Sequence, residues 1–241
     1  MPLLGLIGYP LAHSFSPAYF KQKFKEENRI DWDYQIFPIP EIDQLPELIA
    51  LHPNLIGFNV TIPHKTEVLK YCHTQSEEVE EIGAANFILI DPETKLLSAF
   101  NTDYWGFAVS LKTWYHGNRR ALVLGNGGSS KAIQYALKSL KILFDVCSRH
   151  GTLNYRNLDL SQYDLLVNCT PVGMSGNLNE KDCLDLPYHQ INSSHNFYDL
   201  VYNPENTAMM QKFADNGAKV KSGLEMLYLQ ADKAWDMVKD I

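Results

Sequence analysis

Ala121-Leu122-Val123-Leu124-Gly125-Asn126-Gly127-Gly128-Ser129-Ser130 decides the fold: four apolar residues run straight into a Gly-x-Gly-Gly turn. Beyond it, Ala132, Ile133, Ala136, Leu137 and Leu140 fall on one helical face. A short buried strand, a glycine turn and an amphipathic helix open a βαβ unit. Such a turn lets a pyrophosphate approach the backbone and rest on N–H groups at the helix start, where the helix dipole favours negative charge. The motif departs from G-x-G-x-x-G by carrying Ser130 at the third glycine position, and a plain tight βα turn is the competing reading. Strands at Ile142 to Cys147 and Leu165 to Asn168 keep the βαβ spacing, so the second half reads as a Rossmann-like, doubly wound sheet.

Outward from there the same alternation continues, which predicts an α/β protein with mostly parallel sheets. In the first half, Leu3 to Ile7, Tyr34 to Phe37, Gly57 to Val60 and Asn86 to Ile90 read as strands, with helical segments near Pro17 to Glu27 and Lys65 to Tyr71. Leu224, Leu227, Tyr228, Ala231, Ala234, Trp235 and Val238 form a helical apolar stripe, ordinarily core, that is expected to close back on the first half. The expected division is 1–103 plus 224–241 as one domain and 104–223 as the other.

The chain has 241 residues, 45% of them hydrophobic, enough for substantial cores. A net charge of −7 argues against a general nucleic-acid binder, whose affinity is built from Lys and Arg facing phosphates. No apolar run approaches the roughly 18 residues that span a bilayer, and Met1 to Pro10, interrupted by Gly5 and Gly8, reads as a strand rather than an export signal. Cys72, Cys147, Cys169 and Cys183 are widely spaced without a CxxC pair, so neither zinc nor a disulfide framework is indicated, and a reducing cytoplasm fits.

Cofactor type is read about 20 residues past the glycine turn. Asp145 is acidic, as a ribose 2′-OH requires, but lies inside the strand if that strand ends at Cys147. Ser148-Arg149-His150 occupies the turn beyond, and a guanidinium there matches a 2′-phosphate, so NADP is expected over NAD. A solvated surface arginine is the alternative.

Four polar clusters punctuate the first half. Gly8 to Pro17 sets Ser14 and Ser16 before a helix; Ser16 is expected to cap it, with Pro17 at the first helical position, and His13 reads as structural or surface. Gly57 to Lys65 ends a strand in a Pro-containing turn with Thr61 and Lys65, at the sheet edge where α/β proteins gather ligands. Gly83-Ala84-Ala85-Asn86 and Phe100-Asn101-Thr102-Asp103 complete the set, and Asp103 near Lys65 would hold an ammonium charged.

Taken in order, the blocks GYPLAHSFSP, GFNVTIPHK, GAAN, NTDYWGF, GNGGSSKA, NCTPVGM, DLVYNP and GLEMLYLQ resemble the shikimate dehydrogenase family, from about Gly8 to Gln230. The resemblance implies a substrate-binding first domain, NADP on the second, and reversible reduction of 3-dehydroshikimate to shikimate. It makes Lys65 and Asp103 the catalytic pair, gives the substrate carboxylate to Ser14 and Ser16 with help from Tyr202, and the ring hydroxyls to Thr61, Asn86, Asp103 and Gln230. Gly125, Asn126, Gly127, Gly128, Ser129, Arg149, Thr170, Met174 and Gly223 would line the cofactor.

The chain departs from the family pattern at Ala85, Phe87, Tyr19-Phe20 and Ser148-Arg149-His150, where His150 lacks the hydroxyl of the familiar threonine. Two competing readings remain at this level: a quinate/shikimate dehydrogenase using NAD, and a non-catalytic sensor of a nucleotide or hydroxy-acid. The expected partners are small molecules, with no nucleic acid or membrane, in a monomer or homodimer.

Overall fold

The computed structural model describes all residues except 12, 13, 118, 150, 154, 156, 157 and 176–180. His13 and His150 therefore lie outside the described residues. Two α/β units divide the chain: Met1–Thr102 with Ala231–Ile241, and Asp103–Gln230.

In the first unit, β1 (Leu3–Gly8), β2 (Asp33–Pro38), β3 (Leu55–Val60), β4 (Thr74–Gln75), β5 (Phe87–Ile90) and β6 (Leu97–Phe100) form one sheet, ordered β2-β1-β3-β5-β6-β4. Helices α1 (Ser16–Glu26), α2 (Leu45–Leu51) and α3 (Glu77–Ile82) accompany it. The sheet is mixed, because β5 runs antiparallel to both β3 and β6. The connection from β5 to β6 is the short Asp91–Leu96 turn, which suits a hairpin rather than a crossover. The helix expected over Lys65 to Tyr71 is instead a turn followed by a 3₁₀ segment at Glu67–Tyr71.

Two apolar layers cover this sheet. One is aromatic: Phe20 stacks on Tyr34 at 4.5 Å, and Trp235 meets Phe24 at 5.2 Å and Trp32 at 4.8 Å. Trp235 is almost fully buried, and its indole N–H donates to Glu27 Oε2 at 2.7 Å. It sits on the last helix, α7 (Leu224–Asp236), so the end of the chain does return to the first half. The stripe read from the sequence is core at Ala231, Ala234, Trp235 and Val238, but Tyr228 is exposed. Tyr19, one of the departures from the family pattern, donates its hydroxyl to Asp232 at 2.5 Å on this same helix.

The second unit opens with α4 (Asp103–Trp114), then β7 (Arg120–Leu124), α5 (Gly128–Ser139), β8 (Phe144–Cys147), β9 (Tyr163–Asn168), β10 (Asn196–Asp199), α6 (Ala208–Asp215) and β11 (Lys219–Ser222). Its sheet is ordered β11-β10-β9-β7-β8 and every pairing is parallel. Parallel strands are covered on both faces, and β7 shows why its sequence is continuously apolar: Leu122 and Leu124 feed one core, Ala121 and Val123 the other. The chain leaves β7 toward β8 on one side and resumes at β9 on the other. That reversal opens a crevice at the carboxyl ends of β7 and β9, where ligands of open α/β sheets bind.

Candidate active site

In the first unit, register gathers the polar clusters on one edge. Ile7 lies opposite Val60, Asn59 opposite Phe87, and Phe87 opposite Phe100. The carboxyl ends of β1, β3 and β6 and the amino end of β5 therefore coincide. This edge carries the segment leading to Ser14 and Ser16, then Thr61, Lys65, Asn86 and Asn101-Thr102. Backbone bonds fix it: Thr61 N–H donates to Ile7 O at 3.0 Å, Tyr9 N–H to Ile62 O at 3.0 Å, and Ala85 N–H to Lys65 O at 2.8 Å. Asn86 is buried; its amide donates to Thr102 Oγ1 at 2.9 Å and accepts from Thr102 N–H at 2.6 Å. Lys65 is half-buried in the turn after β3.

Ser16 does not cap α1. Phe15 is the cap residue and offers no side-chain capping hydrogen bond, while Ser16 and Pro17 are the first two helical residues. The Ser16 hydroxyl instead reaches Tyr34, a buried phenol whose own hydroxyl donates to Asn59 Oδ1 at 3.0 Å. Burial raises the Tyr34 pKa above the usual range, so it stays a neutral donor. Asp103, Tyr202 and Gln230, the remaining predicted substrate contacts, belong to the second unit. Asp103 is buried at the head of α4, Tyr202 is half-buried beyond β10, and Gln230 donates to Leu227 O at 2.9 Å along its own helix.

In the second unit, Leu124 lies level with both Cys147 and Asn168, and Asp199 with both Asn168 and Ser222. All five strands thus end together, which brings the glycine turn, Arg149, Thr170 and Gly223 to one edge. Gly125 has φ +108°, a backbone state that side chains with a Cβ rarely adopt, and Gly127 caps α5 in an extended conformation without any side-chain bond. A Cβ on Gly127 would meet nothing within 4 Å, so this face is open to a ligand. Ser130 is buried and donates to Gly125 O at 2.7 Å, which explains how serine occupies the third glycine position: it ties the turn shut from beneath. A phosphate-bearing dinucleotide fits this cradle.

Arg149 is exposed in the turn after β8. Asp145 is committed elsewhere: its carboxylate pairs with Arg120 Nε at 2.9 Å and accepts from Tyr163 Oη at 3.0 Å, inside the strand and level with Leu122. Gly223 follows β11, with its N–H directed to Val201 O at 3.3 Å, and Met174 closes a turn on Pro171 O at 3.2 Å.

Sequence reasoning missed a buried carboxylate at this edge. Asp199 ends β10 and accepts from Asn168 Nδ2 at 2.8 Å, Thr207 Oγ1 at 2.7 Å and Val201 N–H at 3.1 Å. The available signal was a charged residue closing an apolar strand, within the block DLVYNP.

Fold and edges together define an α/β protein of the dinucleotide-dependent dehydrogenase class. Residues 6–88 match the family model described as the shikimate dehydrogenase substrate binding domain. A shikimate dehydrogenase (NADP(+)) of Clostridium botulinum is 38% identical, over 95% of this chain and 93% of that protein. Among solved structures, a shikimate dehydrogenase of Aquifex aeolicus superposes with a TM-score of 0.89 at 27% identity, covering 100% of this chain and 93% of its own. A shikimate 5-dehydrogenase of Thermus thermophilus, solved with NADP(H) and shikimate, gives 0.86 at 28% identity over 100% and 94%. The chain belongs to the shikimate dehydrogenase family.

Proposed function

We propose that this protein catalyses the reversible NADPH-dependent reduction of 3-dehydroshikimate to shikimate, a step toward the aromatic amino acids, with Lys65 and Asp103 as its catalytic residues. The observation that carries the reading is the first-unit edge, where Thr61, Lys65 and the clamped Asn86 lie together with the segment bearing Ser14 and Ser16. A polyol ring needs several neutral groups that both donate and accept, and leaving such groups unpaired rejects an analogue that lacks a hydroxyl.

NADPH, when bound, supplies the hydride. Gly125, Asn126, Gly127, Gly128 and Ser129 would hold its pyrophosphate, Arg149 its 2′-phosphate, and Thr170, Met174 and Gly223 the rest of the cofactor. Hydride addition to a ketone leaves an alkoxide, and the Lys65 ammonium donates the proton that quenches it, a contribution of about 10²–10⁴ in rate. Asp103 presents a carboxylate to a ring hydroxyl, as do Thr61, Asn86 and Gln230 with their neutral groups. Ser14 and Tyr202 donate to the substrate carboxylate, and Ser16 does so by turning its hydroxyl from Tyr34.

Among the described residues no helix is long and apolar enough to cross a membrane. All four cysteines are free thiols, which supports a cytoplasmic enzyme. The test is absorbance at the reduced-nicotinamide band, with shikimate or quinate and with NADP or NAD. Turnover preferring shikimate and NADP supports the reading; binding without turnover, or preference for quinate with NAD, sinks it.

A further inference from the structure

We infer that Asp199 is a positioning residue for the cofactor edge: it fixes which way round the Asn168 amide faces, and so holds Thr170 against the glycine turn. The inference rests on the proposed NADPH reading but needs no contact between Asp199 and any ligand.

Asn168, Asp199 and Thr207 are all fully buried. A carboxylate only accepts, so it draws the Asn168 NH₂ toward itself, at 2.8 Å. The Asn168 carbonyl oxygen must then face the other way, where it accepts from Thr170 N–H at 3.0 Å and from the Thr170 hydroxyl at 2.7 Å. Reversing the amide would set NH₂ against the Thr170 backbone N–H and the amide oxygen against the Asp199 carboxylate, donor on donor at one end and acceptor on acceptor at the other. The turn so held is the one beside the phosphate cradle, since a Cβ on Gly125 would lie 3.0 Å from Thr170 Cγ2. The other carboxylate oxygen accepts from Thr207, whose oxygen in turn accepts from Met210 N–H at 3.1 Å and starts α6. Hydrogen-bond direction therefore runs one way through the ends of β9, β10 and α6, and Asp199 is its sink.

The experiment uses the full chain, NADPH fluorescence titration and separate KM values for cofactor and shikimate. Asp199→Asn leaves an amide that can face either way; NADPH affinity should fall about 10-fold while KM for shikimate stays within about 2-fold. Exchanging the pair, Asp199→Asn with Asn168→Asp, restores most bond directions and should return NADPH affinity to within about 3-fold of the parent. Should the single variant not fold, the exchanged pair decides alone. Unchanged NADPH affinity in Asp199→Asn overturns the inference, as does an exchanged pair that still binds 10-fold weaker. A parent protein that takes up no NADPH overturns the functional reading, and this inference with it.

Discussion

Arg120 and Asp145, on adjacent parallel strands, pair at 2.9 Å and leave the acidic residue nearest the cofactor turn already engaged. The one carboxylate that could have argued for NAD faces a guanidinium and the Tyr163 phenol instead. Asp145→Asn is accordingly expected to leave the NADP-to-NAD preference unchanged. As a part-exposed ion pair, it should cost no more than about 1 kcal/mol of stability. Arg149→Ala should raise KM for NADP at least ~10-fold with little effect on NAD, because NADP alone brings a 2′-phosphate for the proposed guanidinium contact. Initial rates with both cofactors read this directly, and equal losses would remove Arg149 from phosphate binding.

Lys65→Met is expected to lower kcat by at least ~10² and to leave NADPH affinity intact, because proton delivery is lost while the glycine turn is untouched. Stopped-flow turnover beside a fluorescence titration separates the two quantities. Undiminished kcat would show that another group protonates the alkoxide.

Gly125→Ala should weaken NADPH binding more than it weakens the fold. A methyl group there is strained by φ +108° and meets Thr170 Cγ2 at 3.0 Å, so the turn must shift at the cost of about 1–3 kcal/mol. A thermal melt that moves with no change in cofactor affinity would contradict the cradle.

Asp199 makes stability depend on pH with a definite sign. Burial pushes its pKa from 3.8 up to about 6, against the pull of its three donors. Between those values the native state holds a proton that the unfolded chain has released, so native stability falls as pH rises from about 4 to about 6, then levels off. The loss is on the order of 3 kcal/mol, since each tenfold change in proton affinity is worth ~1.4 kcal/mol. Asp199→Asn lacks this slope. Urea unfolding of both proteins at a series of pH values should show their difference changing across that window, and a parallel pair of curves would refute it.

Trp235→Ala removes the indole at the centre of the first unit's aromatic layer and takes the indole N–H away from Glu27 Oε2. A loss of about 3–5 kcal/mol is expected, measured by chemical denaturation. A loss below about 1 kcal/mol would mean that the layer closes over the gap.

What the sequence shows plainly is whatever repeats locally. β7, the glycine turn and α5 are read correctly because strand, turn and helix each carry their own period. β10 and β11 escape notice: each is four residues long, and β10 ends in Asp199, whose charge masks a buried strand. Asp199 is satisfied by Asn168, 31 residues earlier, and no pattern within one segment records that. Ser16 misleads for the same reason. Its hydroxyl has the chemistry of a helix cap, but Tyr34 from a neighbouring strand takes it. Asp145 shows the converse, an acid at the right spacing that a partner 25 residues away has claimed.

The first unit is interrupted in the chain, leaving off at Thr102 and resuming at Ala231. A ribosome emits the chain from its amino end, so this sheet leaves the exit tunnel with the place of Trp235 vacant and must wait while the whole dinucleotide lobe is translated. The first unit is thus completed only after the dinucleotide lobe has been made.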